Sequence, residues 1–324
     1  MANIFGCVGQ ILLIIACSVI FVERDTSQLN LGLSEKDRER IKDTDLIFHS
    51  AASVRFIDNI RLIVNMNIRG TRDLLLLAQK MAFVYVSTAY SYCVYSKIEE
   101  KFYKPPIKTE VIIKLTEILK EDQLDLINPK QSVNTVQQYS NGISACIVRP
   151  SIVVATEKEP IVGWINNLYG ITGIAVGSAT GVLHTLYCNE KFICDIIPAD
   201  YVVNNIIAAA WDVAQNQNDN VLKLWDKLSV VDKHKFFFNV SDIDWECFSS
   251  TYIKGVRVYL LKYPMETVDE SRPFYRRGLV GDHLKVSGRC CEANKHADPF
   301  FVSFFPAASP CFERYWSSVV NARV

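Results

Sequence analysis

The chain has 324 residues, which is enough for one large or two ordinary domains with a sizeable core. Hydrophobic residues make up 49% of it and charged residues 22%, the composition of a globular protein. Lys and Arg number 35, and so do Asp and Glu, so the formal net charge is +0. Because no excess of positive charge exists to attract phosphate groups, we predict that the chain does not bind nucleic acid.

The 10 cysteines are scattered along the chain, and no Cys-x-x-Cys pair occurs among them. Zinc sites need cysteine or histidine ligands at short, regular spacings. We therefore predict no metal site, and reduced thiols of the kind found in a protein that faces the cytosol.

Residues 4–22 are almost wholly apolar, and a run of this length suits a helix of about 20 residues that crosses a membrane. No basic stretch precedes the run, and Glu23, Arg24 and Asp25 follow it, so the charge asymmetry of a secretory signal is missing. Two interpretations of the apolar segment 1–22 stay open. It is either a membrane-spanning or signal-anchor helix, or a buried core segment.

Short apolar runs alternate with a helical pattern after this segment. Strands are predicted at residues 45–49, 83–86 and 145–148, and Asn67 opens a helix whose leucines form an apolar face. Strand, helix, strand, crossover and strand indicate an α/β fold with a doubly wound, Rossmann-like parallel sheet. Functional groups of such sheets collect at the carboxyl ends of the strands. The small and hydroxyl-bearing residues there are Ser50, Ala51, Ala52, Ser53, Ser87, Thr88 and Ser151.

Taken one at a time, these residues have ordinary structural explanations. A Ser or Thr after a strand is more often a turn residue than a catalytic group. Asn67 suits a helix cap, and His49 suits a hydrogen-bonded strand end. A functional interpretation therefore depends on the order in which several motifs follow one another.

That order resembles the alcohol-forming fatty acyl-CoA reductases, which are extended short-chain dehydrogenases, and is most similar to their insect branch. The motifs that carry the resemblance lie at residues 48–56, 67–71, 86–90, 98–103, 147–153, 163–165, 195–204 and 238–245. The resemblance covers roughly residues 25–262. It implies an incomplete reductase domain at 23–220 and a remnant of a short helical C-terminal domain at 221–262, and it leaves 263–324 unassigned.

The resemblance also implies a chemistry, the reduction of a long-chain fatty acyl-CoA by NADPH, through an aldehyde, to a fatty alcohol. In the family a Tyr protonates the carbonyl oxygen, a Lys lowers the pKa of that Tyr, and a Ser or Thr orients the carbonyl. By position, Ser87 and Thr88 match the hydroxyl member. The cofactor-binding residues implied are Ser50, Ala51, Ala52, Ser53, Asn67, Pro150, Ser151, Ile152 and Val153. The implied location is a membrane-associated, cytosol-facing one at the endoplasmic reticulum or the peroxisome.

Three parts of the family pattern are missing or shortened, and one of them is the stretch between Trp211 and Leu224, where the family has a longer segment. The glycine-rich turn that should hold pyrophosphate is reduced to Gly6-Cys7-Val8-Gly9, with no strand before it. The Tyr-x-x-x-Lys motif is absent from its place after the Asn-Thr pair, because Asn134-Thr135 runs directly into Val136-Gln137 where about three helical turns are expected. Tyr139 has Ile143 rather than a lysine four residues later.

The clean flanks favour an altered gene product over gradual evolutionary loss, and two functional hypotheses follow. In the first, the chain is a fatty acyl-CoA reductase by descent, with activity weakened by the loss of its acid. In the second, it is a non-catalytic pseudo-enzyme that binds acyl-CoA or a protein partner. Loss of a crossover helix predicts exposed apolar surface, and hence aggregation or low expression.

Overall fold

The computed structural model describes residues 25–53, 59–79, 81–92, 103, 107–124, 132–180, 182–183, 194–215 and 221–268, and two short strands nearer the N-terminus. The strands are β1 (Ile14–Ile15), β2 (Ser18–Val19), β3 (Leu46–His49), β4 (Ala82–Val86), β5 (Ala145–Val148), β6 (Ile152–Val154) and β7 (Ile196–Pro198). The α-helices are α1 (Glu35–Ile41), α2 (Ile60–Val64), α3 (Gly70–Leu77), α4 (Thr109–Ile118), α5 (Glu121–Leu124), α6 (Ser132–Tyr139), α7 (Ile171–Ala179), α8 (Ala199–Ala214), α9 (Val221–Lys227), α10 (Val230–Lys235) and α11 (Trp245–Gly255).

The chain divides into two compact units that do not follow chain order. Among the described residues, the first unit contains those up to Pro150 and the segment 205–231. The second unit contains residues 151–204 and those from 232 to 268. The domain boundaries inferred from the sequence, at residues 22, 220 and 262, stay predictions.

The first unit is built on a parallel sheet with the strand order β3-β4-β5. Ile47 pairs with Phe83, and Val84 pairs with Cys146, so the three strands run in register. Every residue of β5 is buried, as expected for a strand covered on both faces. The predicted fold class, a Rossmann-like parallel sheet that is incomplete, is confirmed.

Helices α3 and α6 cover this sheet through one apolar cluster. Leu74 and Leu75 from α3 and Val136 from α6 pack with Phe83 and Ile147 of the strands. Leucines at this helical spacing put their side chains on one face of α3, which is why that face turns towards the sheet. A π-helical turn at residues 65–69 joins α2 to α3.

The junction where the sequence predicts a loss lies inside α6, which continues through it without a break. Thr135 and Val136 are both 0% exposed. The hydroxyl groups of Thr135 and Thr109 are 3.3 Å apart, and the hydroxyl of Ser140 donates to the carbonyl of Val136 at 2.5 Å. A short helix therefore runs through the junction, and Thr135, Val136 and Ser140 are buried in it or at its end.

The second unit has its own small parallel sheet, in which β6 pairs with β7. Two glycines bring α11 against the loop that follows β6. A Cβ added at Gly255 would lie 1.7 Å from the carbonyl oxygen of Gly163, and Gly163 itself has a φ of +72°. The hydroxyl groups of Thr172 and Tyr252 lie 2.6 Å apart, and both residues are buried. Segments far apart in sequence thus form one core.

Near the N-terminus, β1 and β2 pair as antiparallel strands. The rest of the apolar segment lies outside the described residues, so both interpretations of it stay predictions. Across the described parts of the chain, no helix is both long enough and apolar enough to cross a membrane. The remnant glycine turn, Gly6-Cys7-Val8-Gly9, lies outside the described residues.

Candidate functional site

The carboxyl ends of β3, β4 and β5 form one edge of the first unit, because the three strands are parallel neighbours. Pairing continues beyond the strands. Ser87 donates its backbone N–H to the carbonyl of Val148 at 2.8 Å, and Ala89 donates to the carbonyl of Pro150 at 2.9 Å. Ser50, which is exposed, follows β3 at the same edge. The structure therefore brings Ser50, Ser87 and Pro150 to the edge that the sequence pattern indicates.

The hydroxyl groups of Ser87 and Thr88 are engaged differently. Ser91 donates its hydroxyl proton to the carbonyl of Thr88 at 2.5 Å. The bond of 2.8 Å between the hydroxyls of Ser87 and Ser91 therefore uses the proton of Ser87. Thr88 is exposed, and its Oγ1 accepts the backbone N–H of Tyr90 at 3.3 Å. Among the described residues no acceptor takes the hydroxyl proton of Thr88, and the catalytic role expected of Ser87 and Thr88 stays a prediction.

Asn67 holds the loop that follows β3. The backbone N–H of Ser53 donates to Asn67 Oδ1 at 2.8 Å, and Asn67 Nδ2 donates to the carbonyl of Ser53 at 2.9 Å. The side-chain amide thus pairs with Ser53 as a neighbouring strand would. Ala51 is buried, and Ala52 is half-buried. Asn67 fixes the loop 50–53, and the predicted role of all five residues in cofactor binding stays a prediction.

His49 and Thr71 extend this arrangement into the core. The hydroxyl of Thr71 donates to the carbonyl of Asn67 at 2.8 Å, so it can only accept from His49 Nε2, which lies 2.9 Å away. The ring of His49 packs 5.3 Å from that of Tyr85. Burial lowers the pKa of His49 to about 4. His49 is therefore a neutral structural donor at neutral pH.

Ser151, Ile152 and Val153 belong to the second unit. Ile152 donates its backbone N–H to the carbonyl of Asp195 at 3.0 Å, where β6 begins to pair with β7. Val153 is 37% exposed. Their predicted place beside the nicotinamide, like that of Pro150, stays a prediction.

The structure adds three residues to the site that sequence reasoning did not assign. Ser91 accepts a hydrogen bond from the hydroxyl of Ser87. It lies four residues after Ser87, a helical spacing, and this spacing is a signal that could have identified it. Thr71 links His49 to Asn67. Arg149 directly follows β5 and is 2% exposed, which makes it a buried cation beside the same edge.

The tyrosines whose pKa is shifted in the described parts of the chain are all shifted upward. Burial and a hydrogen bond to the Glu110 carboxylate raise the pKa of Tyr139 to about 12. Burial raises the pKa of Tyr252 to about 12, although its hydrogen bond to Thr172 opposes this. Burial, and then Glu157, raise the pKa of Tyr201. A catalytic acid needs the opposite shift.

One Tyr–Lys contact occurs in the second unit. Lys158 Nζ lies 3.3 Å from the hydroxyl of Tyr201 and 4.7 Å from the ring centroid of Phe237. Tyr201 is 0% exposed, so a substrate carbonyl has no access to it. Lys158 donates this hydrogen bond to a buried phenol, so the pair does not replace the missing acid.

Within the described ranges, no group of three His, Cys, Asp or Glu residues could hold a metal ion. The absence of a metal site from the whole chain stays a prediction.

A parallel sheet with hydroxyl and small side chains at its carboxyl edge is the arrangement in which doubly wound α/β proteins bind their ligands. A family model of an NAD-binding domain, described as male sterility protein, matches residues 9–206. A second model with the same description matches residues 208–263. The chain belongs to this family, the fatty acyl-CoA reductases, and the family uses a nicotinamide cofactor. The first match begins inside the apolar segment, which favours a place for that segment within the domain.

Curated relatives support the same family. Fatty acyl-CoA reductase 1 of Rattus norvegicus is 39% identical over 223 residues, which are 63% of this chain and 43% of that protein. Fatty acyl-CoA reductase wat of Drosophila melanogaster is 34% identical over 220 residues, 62% of this chain and 43% of that protein. The chain thus matches less than half the length of either relative. The insect-type assignment stays a prediction.

Solved structures are more distant. The enzyme WbmG of Bordetella bronchiseptica, in complex with NAD, is 13% identical with a TM-score of 0.40, over 71% of this chain and 75% of that chain. A thiolation-reductase di-domain from an archaeal non-ribosomal peptide synthetase is 14% identical with a TM-score of 0.39, over 76% of this chain and 53% of that chain.

Proposed function

We propose that this chain binds NADPH and a long-chain fatty acyl-CoA, and that its ancestral reaction is reduction of the acyl group to a fatty alcohol. The observation that carries the proposal is the edge of the first unit, where Thr88 presents a free hydroxyl between the loop 50–53 and Pro150. This edge lies in a chain whose family contains reductases of this substrate class.

The described residues fit the nicotinamide end of such a cofactor. The edge carries short side chains, and the loop 50–53 is fixed by the two hydrogen bonds between Asn67 and Ser53. A fixed, small-residue loop lets a flat ring and its ribose approach the backbone. Ser50, Ala51, Ala52 and Ser53 would hold that part of the cofactor, together with Pro150. When bound, the cofactor supplies a hydride to the acyl carbonyl.

The chain's own residues would contribute orientation rather than proton transfer. Thr88 can donate its hydroxyl proton to the substrate carbonyl oxygen and hold it in position. Asn67 keeps the cofactor loop in place, with Thr71 and His49 behind it. Because the shifted tyrosines have raised pKa values, none of them is poised to protonate the reduced oxygen.

This last observation favours a second candidate function, a pseudo-enzyme that binds acyl-CoA without turning it over. The absence of Tyr-x-x-x-Lys after Asn134-Thr135, where the family pattern has it, and the raised tyrosine pKa values point the same way. Helix α6 runs through the junction without a break, so the chain has an ordered core there although it lacks the motif. Membrane association and an endoplasmic reticulum or peroxisomal location remain expectations from the family.

The test is titration of the purified chain with NADPH, NADH and palmitoyl-CoA, followed by gas chromatography for hexadecanol. Binding of NADPH with slow alcohol formation supports the reductase. Binding of palmitoyl-CoA with no alcohol supports the pseudo-enzyme. Failure to bind NADPH contradicts the first candidate, and failure to bind either ligand contradicts both. Sequencing of the source transcript across the codons for Thr135 and Val136 then shows whether the short form is the only product.

A further inference from the structure

The second unit contains a long uncharged stretch that is also well exposed. From Pro160 to Leu183 the chain has no Asp, Glu, Lys, Arg or His, although charged residues make up 22% of the whole sequence. Five large apolar side chains in this stretch are exposed, which are Ile161 at 47%, Val162 at 54%, Leu168 at 54%, Tyr169 at 75% and Val182 at 80%. We call these five residues and the half-buried residues of α7 the apolar surface.

The loop that carries Ile161 and Val162 is held rigidly. The carboxylate of Asp200 accepts the backbone N–H groups of residues 157, 158 and 159 at 3.0, 2.7 and 3.1 Å. Thr156 closes the loop, because its Oγ1 accepts the backbone N–H of Trp164 at 3.0 Å. Apolar side chains at the tip of a fixed loop lose little freedom when they bind, which favours recognition.

The other three exposed residues are fixed to the two ends of α7. A Cβ at Gly173 would lie 2.4 Å from the carbonyl oxygen of Leu168, so the turn with Leu168 and Tyr169 sits directly on the first turn of the helix. At the other end, Val182 donates its backbone N–H to the carbonyl of Gly177 at 2.9 Å. Between them, the nine residues of α7 extend about 14 Å.

The lack of charge indicates what this surface can bind. Nucleic acid and the anionic coenzyme A group need cations, and protein partners normally meet a polar rim. A hydrocarbon chain needs only apolar contacts. Exposure of these apolar side chains to water costs free energy, and a bound hydrocarbon chain would remove them from water.

We propose that the apolar surface binds the hydrocarbon chain of the fatty acyl-CoA. This assignment rests on the proposed function, since it takes its ligand from there. It places recognition of the acyl chain in the second unit, on residues that no motif of the reductase pattern assigns to substrate. The affinity for acyl-CoA should then depend on the length of the acyl chain rather than on the coenzyme A group.

The experiment compares the full chain with the double variant Tyr169→Glu/Val182→Asp. A matched control is Ile118→Asp, because Ile118 is 77% exposed on α4 of the first unit. All three positions are exposed, so the variants should fold, and thermal melting followed by circular dichroism checks this. Palmitoyl-CoA and acetyl-CoA are titrated by calorimetry without NADPH, and sedimentation with phosphatidylcholine vesicles is measured in parallel.

We expect the unmodified chain to bind palmitoyl-CoA more tightly than acetyl-CoA. The double variant should bind palmitoyl-CoA at least about tenfold more weakly, equivalent to about 1.4 kcal/mol, with no change for acetyl-CoA. The Ile118→Asp control should match the unmodified chain.

Equal palmitoyl-CoA affinity of the double variant and the unmodified chain overturns the apolar surface as the acyl site and leaves the proposed function standing. No palmitoyl-CoA binding by the unmodified chain overturns both. Loss of vesicle binding with palmitoyl-CoA binding intact shows a bilayer-docking surface instead, and overturns the assignment.

Discussion

At the scale of single residues, Asn67 shows how one side chain can take the place of a strand. Its amide forms two hydrogen bonds with the backbone of Ser53. Asn67→Ala should lower the free energy of unfolding by about 1–3 kcal/mol, because both groups of Ser53 lose a partner. It should also weaken NADPH binding, since the loop 50–53 is released. Chemical denaturation and fluorescence titration with NADPH measure the two effects.

Asn65 provides the control for this prediction. It lies two residues earlier in the same helical turn, and its side chain makes no hydrogen bond within the described part of the chain. Asn65→Ala should change neither quantity measurably, whereas Asn67→Asp, which keeps only the acceptor, should fall between. Unchanged NADPH affinity in Asn67→Ala, with stability reduced, would show that the loop does not contact the cofactor.

His49 gives a prediction about pH. Its pKa is about 4 in the folded chain because of burial, against 6.5 in the unfolded chain, so the unfolded state binds the proton more readily. Stability is full above 6.5, declines as the pH falls towards about 4, and loses on the order of 3 kcal/mol from this group. His49→Gln keeps a donor for Thr71 and cannot titrate.

Urea denaturation of the unmodified chain and of His49→Gln between pH 7 and 4 isolates the contribution of His49, because the two proteins have the same carboxyl groups. The difference in stability between the two should grow as the pH falls. Parallel curves would mean that His49 has the same pKa in the folded and the unfolded chain, as it would in a site open to water.

At the scale of elements, the contact between Gly163 and Gly255 decides whether α11 can pack in the second unit. In an ordinary helix, replacing Gly by Ala stabilises by about 1 kcal/mol. At Gly255 the added methyl would lie 1.7 Å from the Gly163 carbonyl, so we expect a loss of about 3 kcal/mol or more. Thermal unfolding and near-ultraviolet circular dichroism report the change.

Gly142→Ala separates backbone strain from steric clash. Gly142 has a φ of +80°, but no atom lies within 4 Å of an added Cβ. We expect this variant to lose only about 1 kcal/mol. A Gly255→Ala protein as stable as Gly142→Ala would show that α11 can move away from the loop without cost.

The elements also show what a sequence can and cannot predict. Strands β3, β4 and β5 were predicted within one residue, because each is an uninterrupted apolar run ended by small residues. The pairing of Asn67 with Ser53 was not predicted, since it depends on how a helix lies over a loop. Nor was the contact between Gly163 and Gly255, because two isolated glycines far apart in sequence carry no signal that they meet.

Helix α6 shows a second limit of prediction from the sequence. The missing Tyr-x-x-x-Lys is visible in the sequence as a gap in an expected order of motifs. That Thr135 and Val136 would nevertheless be fully buried is not visible, because burial depends on what packs over the junction. The predicted exposure of apolar surface, with aggregation and low expression, stays a prediction, and the closed core around Val136 argues against its being severe.

At the scale of the whole molecule, the fold and the chemistry give different expectations, which makes a decisive prediction possible. The parallel sheet and its carboxyl edge should bind NADPH, which at a hundred times its dissociation constant adds about 2.7 kcal/mol to stability. The acid is missing, so turnover should be about 10²–10⁴-fold below that of a reductase that has one. Rat fatty acyl-CoA reductase 1, assayed alongside, supplies that reference rate.

Tyr139→Phe tests whether the remaining tyrosine of α6 has taken over the role of the acid. Its hydroxyl is bound to Glu110, and its pKa is about 12, so the variant should leave any residual alcohol formation unchanged. It should lower stability by about 1 kcal/mol through the lost hydrogen bond. A rate near that of the rat enzyme, abolished by Tyr139→Phe, would show instead that the shortened helix carries a working acid. The chain would then be a complete catalyst in spite of its missing motif.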